Sequence, residues 1–220
     1  MSSQNPNYDA EQYSQGGQDI YITRILKKKR DGYFVEVGAG NGIFISNTYL
    51  LEKKYGWKGL CIEANPYRID ELKTNRPNAV CIETAVFSES NLELDFTLVP
   101  IDVLNAITEY ADTCVDFITE NGTIIKVNTK TLNDIFIANN SPNVIDYLSI
   151  DTNGTEDKVL EGIDFTKYTF NIITVETSSI IEKQKKIDDI LTSNGYILHQ
   201  SIVMSDELCD NLYIHNSILL

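Results

Sequence analysis

In Phe34-Val35-Glu36-Val37-Gly38-Ala39-Gly40-Asn41-Gly42, an apolar run leads into three closely spaced glycines. The run has the length and composition of a buried parallel strand, and glycines allow a tight turn and a close approach to a ligand. A second run, Lys58-Gly59-Leu60-Cys61-Ile62, ends at the acid Glu63. An acid about 20 residues beyond such a turn can accept hydrogen bonds from ribose hydroxyls. The pattern therefore predicts a βαβ unit that binds a nucleoside.

The spacing of the glycines bears on which nucleoside that unit holds. Dinucleotide sites use G-x-G-x-x-G, with the third glycine one position later than Gly42. Here the spacing is G-x-G-x-G, and Glu36 stands two residues before the first glycine. This arrangement is more typical of S-adenosylmethionine (SAM) sites. Two alternatives remain open: an NAD(P)-dependent oxidoreductase, which would use the same unit and Glu63, and a glycine turn without a ligand.

Composition limits the domain count and the partners. With 220 residues and 42% hydrophobic residues, the chain is predicted to form a flexible segment over 1–13 and a single domain over 14–220. A formal net charge of -14 repels phosphate backbones, so we expect no nucleic-acid partner. The longest apolar runs fall short of the about 18 residues that a membrane span needs. The four cysteines are scattered without a C-x-x-C pair, which fits a reducing, cytoplasmic setting.

Periodicity along the chain alternates between strand and helix patterns. This alternation predicts an α/β fold with a mostly parallel central sheet and helices on both faces. Thr131 is a candidate helix cap, and Ser179 with Glu182 has the spacing of a capping box. Helices are predicted over 18–29, 47–55, 67–74, 131–136, 155–161 and 179–193, and strands over 34–37, 58–62, 78–84, 92–98, 123–127, 144–150, 171–175, 196–199 and 212–214.

Two acids follow strands that we expect to be neighbours in the sheet. Asp151 follows the run 144–150, and Glu176 follows the run 171–175. Ligands of parallel sheets bind beyond the carboxyl ends of the strands, so the two carboxylates are predicted to converge on the site. Such a pair can hold a divalent cation or act as a general base, since burial and like charge raise a carboxyl pKa. The alternative is that both acids only cap the structure that follows them.

Across most of residues 14–200, the chain resembles the FkbM-type SAM-dependent methyltransferases. The resemblance is carried by motifs in consistent order, and such order is more specific than any one motif. They are Ser14-Gln15-Gly16-Gly17-Gln18-Asp19, Phe34-Val35-Glu36-Val37-Gly38-Ala39, Ser46-Asn47-Thr48, Glu52, Gly56-Trp57-Lys58-Gly59-Leu60-Cys61-Ile62-Glu63-Ala64-Asn65-Pro66, Ala85-Val86, Thr131-Leu132, Asp146-Tyr147-Leu148-Ser149-Ile150-Asp151, Gly154, Glu156 and Val175-Glu176.

The resemblance implies a Rossmann-like methyltransferase fold and methyl transfer to an oxygen. The expected acceptors are small molecules or glycans, namely hydroxyls of sugars or of polyketide-like natural products. Asp151, Glu156 and Glu176 would lie on the acceptor side, with Asp151 as base and Glu176 in support. Related sugar methyltransferases use magnesium, which extends the expectation to Mg²⁺ or another divalent cation on Asp151 and Glu176. The residues implied in SAM binding are Gln18, Glu36, Gly38, Ala39, Gly40, Glu63, Ala64 and, near the adenine, Ala85.

One departure from the family pattern concerns the loop after Asp151. The family usually reads Asp-x-Glu-Gly there, and this chain has Asn153 in place of the Glu. Asn keeps an acceptor oxygen but loses the charge, so weaker binding of a metal or acceptor is expected if this residue contributes to it. A SAM-binding protein without catalytic activity is therefore a further alternative. The acceptor pocket is expected to come from the variable stretches 100–122 and 200–211.

Overall fold

The computed structural model describes residues 12–204 and 209–219, so most of the predicted flexible segment 1–13 lies outside the described residues. The strands are β1 (Tyr33–Val37), β2 (Lys58–Glu63), β3 (Ala79–Glu83), β4 (Ala85–Val86), β5 (Glu93–Leu98), β6 (Ala106–Ile107), β7 (Thr123–Lys130), β8 (Val144–Ile150), β9 (Thr169–Thr177), β10 (Tyr196–Val203) and β11 (Cys209–His215). The helices are α1 (Gln18–Ile25), α2 (Tyr49–Tyr55), α3 (Ile69–Asn75), α4 (Val115–Asn121), α5 (Leu132–Ala138), α6 (Glu156–Glu161) and α7 (Ile181–Ser193).

The main sheet contains seven strands of the described chain, in the order β10-β11-β9-β8-β1-β2-β3. The five strands from β9 to β3 run parallel, and β10 and β11 pair antiparallel at one edge. Because the chain reverses direction across the sheet between β1 and β8, the carboxyl ends of these two strands flank a crevice. The α/β fold with a mostly parallel central sheet is confirmed.

Helices cover both faces of the sheet, and each face has its own core. One core includes Leu51 of α2 and Leu72 of α3, together with residues of α1. The other includes Phe136 of α5 and Leu191 of α7, together with residues of α6. These side chains are fully buried, and the strands between the layers read as continuous apolar runs because both of their faces are covered.

A second, smaller sheet stands beside the first, in the order β4-β7-β5-β6. The predicted runs 92–98 and 123–127 form its antiparallel pair β5 and β7, with Phe96 opposite Ile125. Strand β7 is longer than predicted and continues to Lys130, where it pairs with β4. This sheet places Phe96 and Ile107, which face each other in register, against the end of the main sheet.

The predicted helix boundaries lie within two residues of the observed ones except at the end of the first helix, and one predicted cap is wrong. The first helix ends at Ile25 rather than near residue 29, because Lys27 and Lys28 adopt positive φ angles of 51° and 57°. The predicted capping box before α7 is wrong: the helix begins after Ile180, and no side chain caps it. Thr131 does cap α5, since its side chain accepts a hydrogen bond from the Asp134 amide.

Candidate functional site

The glycine turn is built around a close approach between two strand ends. Gly38 has φ +84°, and a Cβ on it would lie 1.8 Å from the carbonyl oxygen of Asp151. Only glycine fits this position, because any side chain would collide with the backbone that carries Asp151. The amides of Gly38 and Ala39 both donate to the carbonyl of Ile62 at 3.0 Å. The turn is therefore fixed between β8 and β2.

Glu63 shapes the other side of the turn. One carboxylate oxygen accepts the Gly40 amide at 2.7 Å, and the other accepts the Asn65 amide at 2.7 Å. Burial raises the pKa of Glu63, and hydrogen bonds from the backbone amides of Asn65 and Gly40 partly offset that rise. A carboxylate oxygen can accept more than one hydrogen bond, so Glu63 retains acceptor capacity for ligand hydroxyls.

A cavity of about 310 Å³ lies beyond the carboxyl ends of β1, β2 and β8. Eight of the eleven predicted site residues line it, while Gln18, Glu156 and Glu176 do not. Gly40 faces open space, since a Cβ there would have no protein atom within 4 Å. The eight residues brought together are Glu36, Gly38, Ala39, Gly40, Glu63, Ala64, Ala85 and Asp151.

Glu36 lines the cavity, yet its carboxylate is occupied by protein donors. It accepts hydrogen bonds from the Ser46 hydroxyl at 2.9 Å, the Asn47 amide at 2.7 Å and the Thr48 hydroxyl at 2.7 Å. The guanidinium of Arg76 donates to it as well, at 3.0 Å. Glu36 therefore holds the segment that leads into α2.

Arg76 is a structural residue that no motif in the sequence indicated. Its side chain is fully buried and pairs with two acids, Glu36 at 3.0 Å and Glu52 at 2.6 Å. It also donates to the Gly42 carbonyl and the Thr48 hydroxyl. Burial lowers the pKa of Arg76, but the nearby charges of Glu36 and Glu52 contribute to a net rise. The cluster joins β1, the glycine turn, α2 and the end of α3.

Asp151 and Glu176 lie side by side, as expected from the pairing of Ile150 with Val175 in β8 and β9. Burial and the charge of Asp210 raise the pKa of Asp151 to about 8. Burial and the charge of Asp151 raise the pKa of Glu176 well above its usual range. Their mutual hydrogen bond lowers the pKa of Asp151 and raises that of Glu176. Both carboxyls thus keep a proton to higher pH than an ordinary carboxyl does, and Asp151 is the one that lines the cavity.

Gln18 lies behind this acidic pair rather than at the cavity. Its amide nitrogen donates to Asp210 at 2.8 Å, and its oxygen accepts the Gly16 amide at 2.8 Å. Asp210 faces Glu176 across β11 and β9. Burial raises the pKa of Asp210 to about 6, although the Gln18 hydrogen bond opposes that rise. Gln18 thus connects the start of α1 to the acids beneath the site.

Glu156 closes the loop that follows Asp151. One carboxylate oxygen accepts the amides of Thr152 at 2.8 Å and Gly154 at 3.1 Å. The other oxygen pairs with the ammonium of Lys183, which also contacts Asp112 at 2.6 Å. Burial lowers the pKa of Lys183, but the charge of Glu156 and the bond with Asp112 produce a net rise. Glu156 therefore fixes the loop's shape from behind, and Lys183 ties the loop to the stretch that contains Asp112.

Residues 101–105 form part of the cavity wall, and we call this segment the strap. Ile101, Asp102, Val103 and Asn105 all line the cavity. At one side, Asp102 pairs with Arg68, which precedes α3. At the other side, the Asn153 amide nitrogen donates to the carbonyls of Val103 and Asn105 at 3.0 and 3.2 Å. Asn153 thus holds the strap through its amide nitrogen, whereas the sequence had suggested that its oxygen would contact a metal or the acceptor.

The described residues do not provide a fitting divalent-cation site. Within 12–204 and 209–219, no three His, Cys, Asp or Glu side chains are grouped to hold a metal ion. The two expected ligands, Asp151 and Glu176, are hydrogen-bonded to each other, and no third such side chain of the described residues is grouped with them to complete a cation site. The expectation of Mg²⁺ on this pair is therefore not supported.

Among the described helices, none combines the length and apolarity required to cross a membrane.

Comparison with known proteins gives a family and a fold. The model of the methyltransferase FkbM domain matches residues 36–198. The precorrin-6y C5,15-methyltransferase of Geobacter metallireducens GS-15 aligns with a TM-score of 0.51 and 11% identity, over 90% of this chain and 87% of that one. Aeropyrum pernix fibrillarin, solved with natively bound SAM, aligns with a TM-score of 0.51 and 10% identity, over 92% of this chain and 76% of that one. No curated protein sequence matches the chain.

Proposed function

The chain belongs to the FkbM methyltransferase family, and from that premise we propose that it transfers a methyl group from SAM to a hydroxyl of a sugar, a glycan or a related natural product. One observation carries the proposal. Asp151, a carboxyl group with a pKa raised to about 8, lines the same cavity as the glycine turn and Glu63. The candidate base and the candidate nucleoside-binding residues thus line the same cavity.

The cavity offers matching groups to each part of SAM. Glu63 has free acceptor capacity for the two ribose hydroxyls, and Gly40 leaves room beside it. Ala85, Phe96 and Ile107 form an apolar wall for the adenine, which the second sheet supplies. The fibrillarin structure, a fold relative, holds SAM and so supports this cofactor.

Asp151 is placed to activate the acceptor. When bound, SAM supplies a methyl group that its sulfonium already activates. An alkyl hydroxyl is a weak nucleophile while it is protonated, so a base must accept its proton as the oxygen attacks. Asp151 takes that proton in our proposal, because a carboxylate whose pKa is near 8 is a much stronger base than an ordinary one. Glu176 supports it by donating a hydrogen bond to Asp151.

Polar side chains around Asp151 suit an acceptor that carries hydroxyls. Thr152, Asn153, Asn105 and Thr155 line the cavity near the loop that follows β8. Donors and acceptors so placed can orient a hydroxyl for in-line attack, which is the main task of an enzyme whose cofactor carries an activated group. The mechanism uses no metal, because Asp151 and Glu176 do not form a fitting site.

The function is tested by incubating the protein with methyl-labelled SAM and a panel of glycans, sugar nucleotides and polyhydroxylated natural products. We expect label in a product that survives mild alkali, as an ether does and a carboxyl ester does not. Titration of S-adenosylhomocysteine, with NAD as the control, checks the cofactor separately. Label on carbon or nitrogen would contradict the proposed acceptor, and binding without turnover on any acceptor would favour a non-catalytic role.

Asp151→Asn tests the proposed base. Asn keeps the size of the side chain but cannot accept the proton, so kcat should fall by about 100-fold or more. The dissociation constant of S-adenosylhomocysteine should change little. Asp116→Asn, an exposed acid of α4, is the matched control and should keep full activity. Turnover that survives in Asp151→Asn would rule out Asp151 as the base.

A further inference from the structure

One polar atom beside the cavity has no hydrogen-bond partner among residues 12–204 and 209–219. Asn47 lines the cavity and is 7% exposed. Its amide nitrogen donates to the Ser149 hydroxyl at 2.9 Å. Its carbonyl oxygen, Oδ1, is buried and receives no hydrogen bond from any residue of 12–204 or 209–219. No other buried side-chain nitrogen or oxygen in the described part of the chain is in this state.

A buried carbonyl without a donor is costly, so native proteins pair nearly all such groups. The described residues supply no donor to this oxygen, although Asn47 is held in place by its side-chain hydrogen bond to Ser149 and by the hydrogen bond from its backbone amide to Glu36. Water or a ligand in the cavity that Asn47 lines can supply the donor that the described residues do not. The oxygen of Asn47 is therefore suited to a hydrogen-bond donor carried by that ligand.

The neighbouring acceptors are already occupied. Glu36 receives four protein donors, and Ser46 receives the amides of Thr48 and Tyr49 while it donates to Glu36. Glu36, which the resemblance implied in SAM binding, therefore has no free acceptor for a ligand donor. Asn47 lies beside Glu36 and has one.

The charge around Asn47 favours a cation over an anion. The buried cluster next to it contains two acids, Glu36 and Glu52, and one base, Arg76. Its formal charge is therefore -1, which attracts an ammonium and repels a carboxylate. Asp151 on the cavity wall adds negative charge when it is ionised.

We propose that Oδ1 of Asn47 accepts a hydrogen bond from the α-ammonium of the methionyl part of SAM. Asn47 thus recognises the amino group, whereas Glu36 positions the segment that carries Asn47. This inference rests on the proposed function only in that SAM is the cofactor, and it does not depend on the acceptor or on the base.

The test compares two ligands in each variant. Dissociation constants are measured by calorimetry for S-adenosylhomocysteine and for its analogue in which hydrogen replaces the α-amino group. We expect wild type to prefer S-adenosylhomocysteine by about tenfold to a hundredfold, as for a hydrogen bond with a charged group. Because the preference is a ratio within one protein, a general loss of stability or of adenosine binding cancels.

Asn47→Leu should lose most of that preference, since Leu has similar size and no acceptor. Asn47→Asp should keep or increase it, because the acceptor remains and gains charge. Asn75→Leu is the matched control: its amide donates to Asn41 beside the turn at 2.8 Å, but it does not line the cavity. This control should keep the wild-type preference.

Two results would overturn the assignment. One is a preference that stays unchanged in Asn47→Leu. The other is an Asn47-dependent preference for ligands that keep their carboxyl group, measured with an analogue of S-adenosylhomocysteine that lacks it. That result would mean that the amide nitrogen of Asn47, and not its oxygen, faces the ligand. If wild type binds neither ligand, the proposed SAM dependence fails together with the inference; if it binds S-adenosylhomocysteine without discriminating between variants, the inference alone fails.

Discussion

At the scale of single residues, the carboxyl groups of the site differ in the hydrogen bonds and the burial that their neighbours impose. Glu36 and Glu63 both line the cavity. The carboxylate of Glu36 already accepts hydrogen bonds from four protein donors, whereas that of Glu63 can accept further hydrogen bonds from a ligand. Asp151 and Glu176 are adjacent, yet only Asp151 reaches the cavity. The environment of each carboxyl group therefore decides whether it is occupied by protein donors or stays open to the cavity.

Glu176 variants test which member of the acidic pair holds the proton. Glu176→Gln keeps a donor to Asp151 and should leave the rise of kcat with pH centred near 8, as in wild type. Glu176→Leu removes that donor, so the pKa of Asp151 should rise and the profile should shift to higher pH. The measurement is kcat from pH 6 upward at saturating SAM. A profile that moves to lower pH in Glu176→Gln would mean that Glu176 is ionised in wild type.

At the scale of elements, the strap and the loop after β8 are joined by hydrogen bonds at the cavity wall. The strap is held by Arg68 from the α3 side and by Asn153 from the β8 side. A Cβ on Gly154 would lie 1.9 Å from the Tyr110 carbonyl, so the same loop also packs tightly against the stretch after the strap. Asn153, at φ 53°, adopts the left-handed conformation that Asn tolerates better than Glu does. The departure from the family's Glu thus coincides with a need for an amide donor.

Asn153→Asp should loosen the strap. The carboxylate would face the carbonyls of Val103 and Asn105 in place of a donor, so two hydrogen bonds would become repulsive contacts. We expect the affinity for S-adenosylhomocysteine to fall by about tenfold. Asn139→Asp is the matched control, because its amide donates to the Ile135 carbonyl at the end of α5, away from the cavity. Equal effects of the two changes would contradict a role for the strap.

Arg76→Met should test the buried ion cluster that joins β1, α2 and α3. Removal of the guanidinium leaves Glu36 and Glu52 buried without their cation. The free energy of unfolding should fall by about 3–5 kcal/mol, as when one partner of a buried ion pair is removed. Urea titration followed by circular dichroism measures it. Lys126→Met, which breaks the exposed pair with Asp95, should leave the midpoint unchanged. A small loss in Arg76→Met would show that the cluster contributes little.

At the scale of the whole molecule, the acids beneath the site oppose the stability of the fold. Asp151 and Asp210 have folded-state pKa values raised to about 8 and about 6, mainly by burial. The folded chain therefore binds more protons than the unfolded chain at intermediate pH. Stabilising contacts elsewhere, including both apolar cores, must offset the cost of ionising these groups.

Stability should consequently fall as pH rises. A carboxyl group whose pKa is higher in the folded state than in the unfolded state lowers the free energy of unfolding as pH rises. The decrease begins near pH 4, where the unfolded group titrates, and is complete above about pH 8, where Asp151 titrates in the folded state. Urea midpoints at pH 5.5 and pH 8.5 should show the decrease in wild type. Asp151→Asn lacks the titrating group and should show a smaller decrease. A midpoint that rises with pH in wild type would contradict the raised pKa values.

Much of the fold was predictable because it depends on local patterns. The apolar runs, the glycine turn and the acids after the strands identified the α/β architecture, and the ordered motifs identified the family. The pairing of β8 with β9 followed from strand order, so Asp151 and Glu176 were correctly expected to be neighbours. Helix ends were less predictable, as at Ile25 and Ile180, because they depend on where the chain must turn to meet other elements.

The sequence by itself determined the layered sheet, the family and the residues around the glycine turn, since each rests on residues that are close along the chain. Only the tertiary structure decided which polar groups are already satisfied. Arg76 donates to Glu36, Asn153 donates to the strap, and Oδ1 of Asn47 receives no donor from the described residues. Arg76 and Asn153 meet partners about 40 to 50 residues away, and the amide of Asn47 meets Ser149 about 100 residues away. Hydrogen bonding and burial act through space, so no local pattern in the sequence records them.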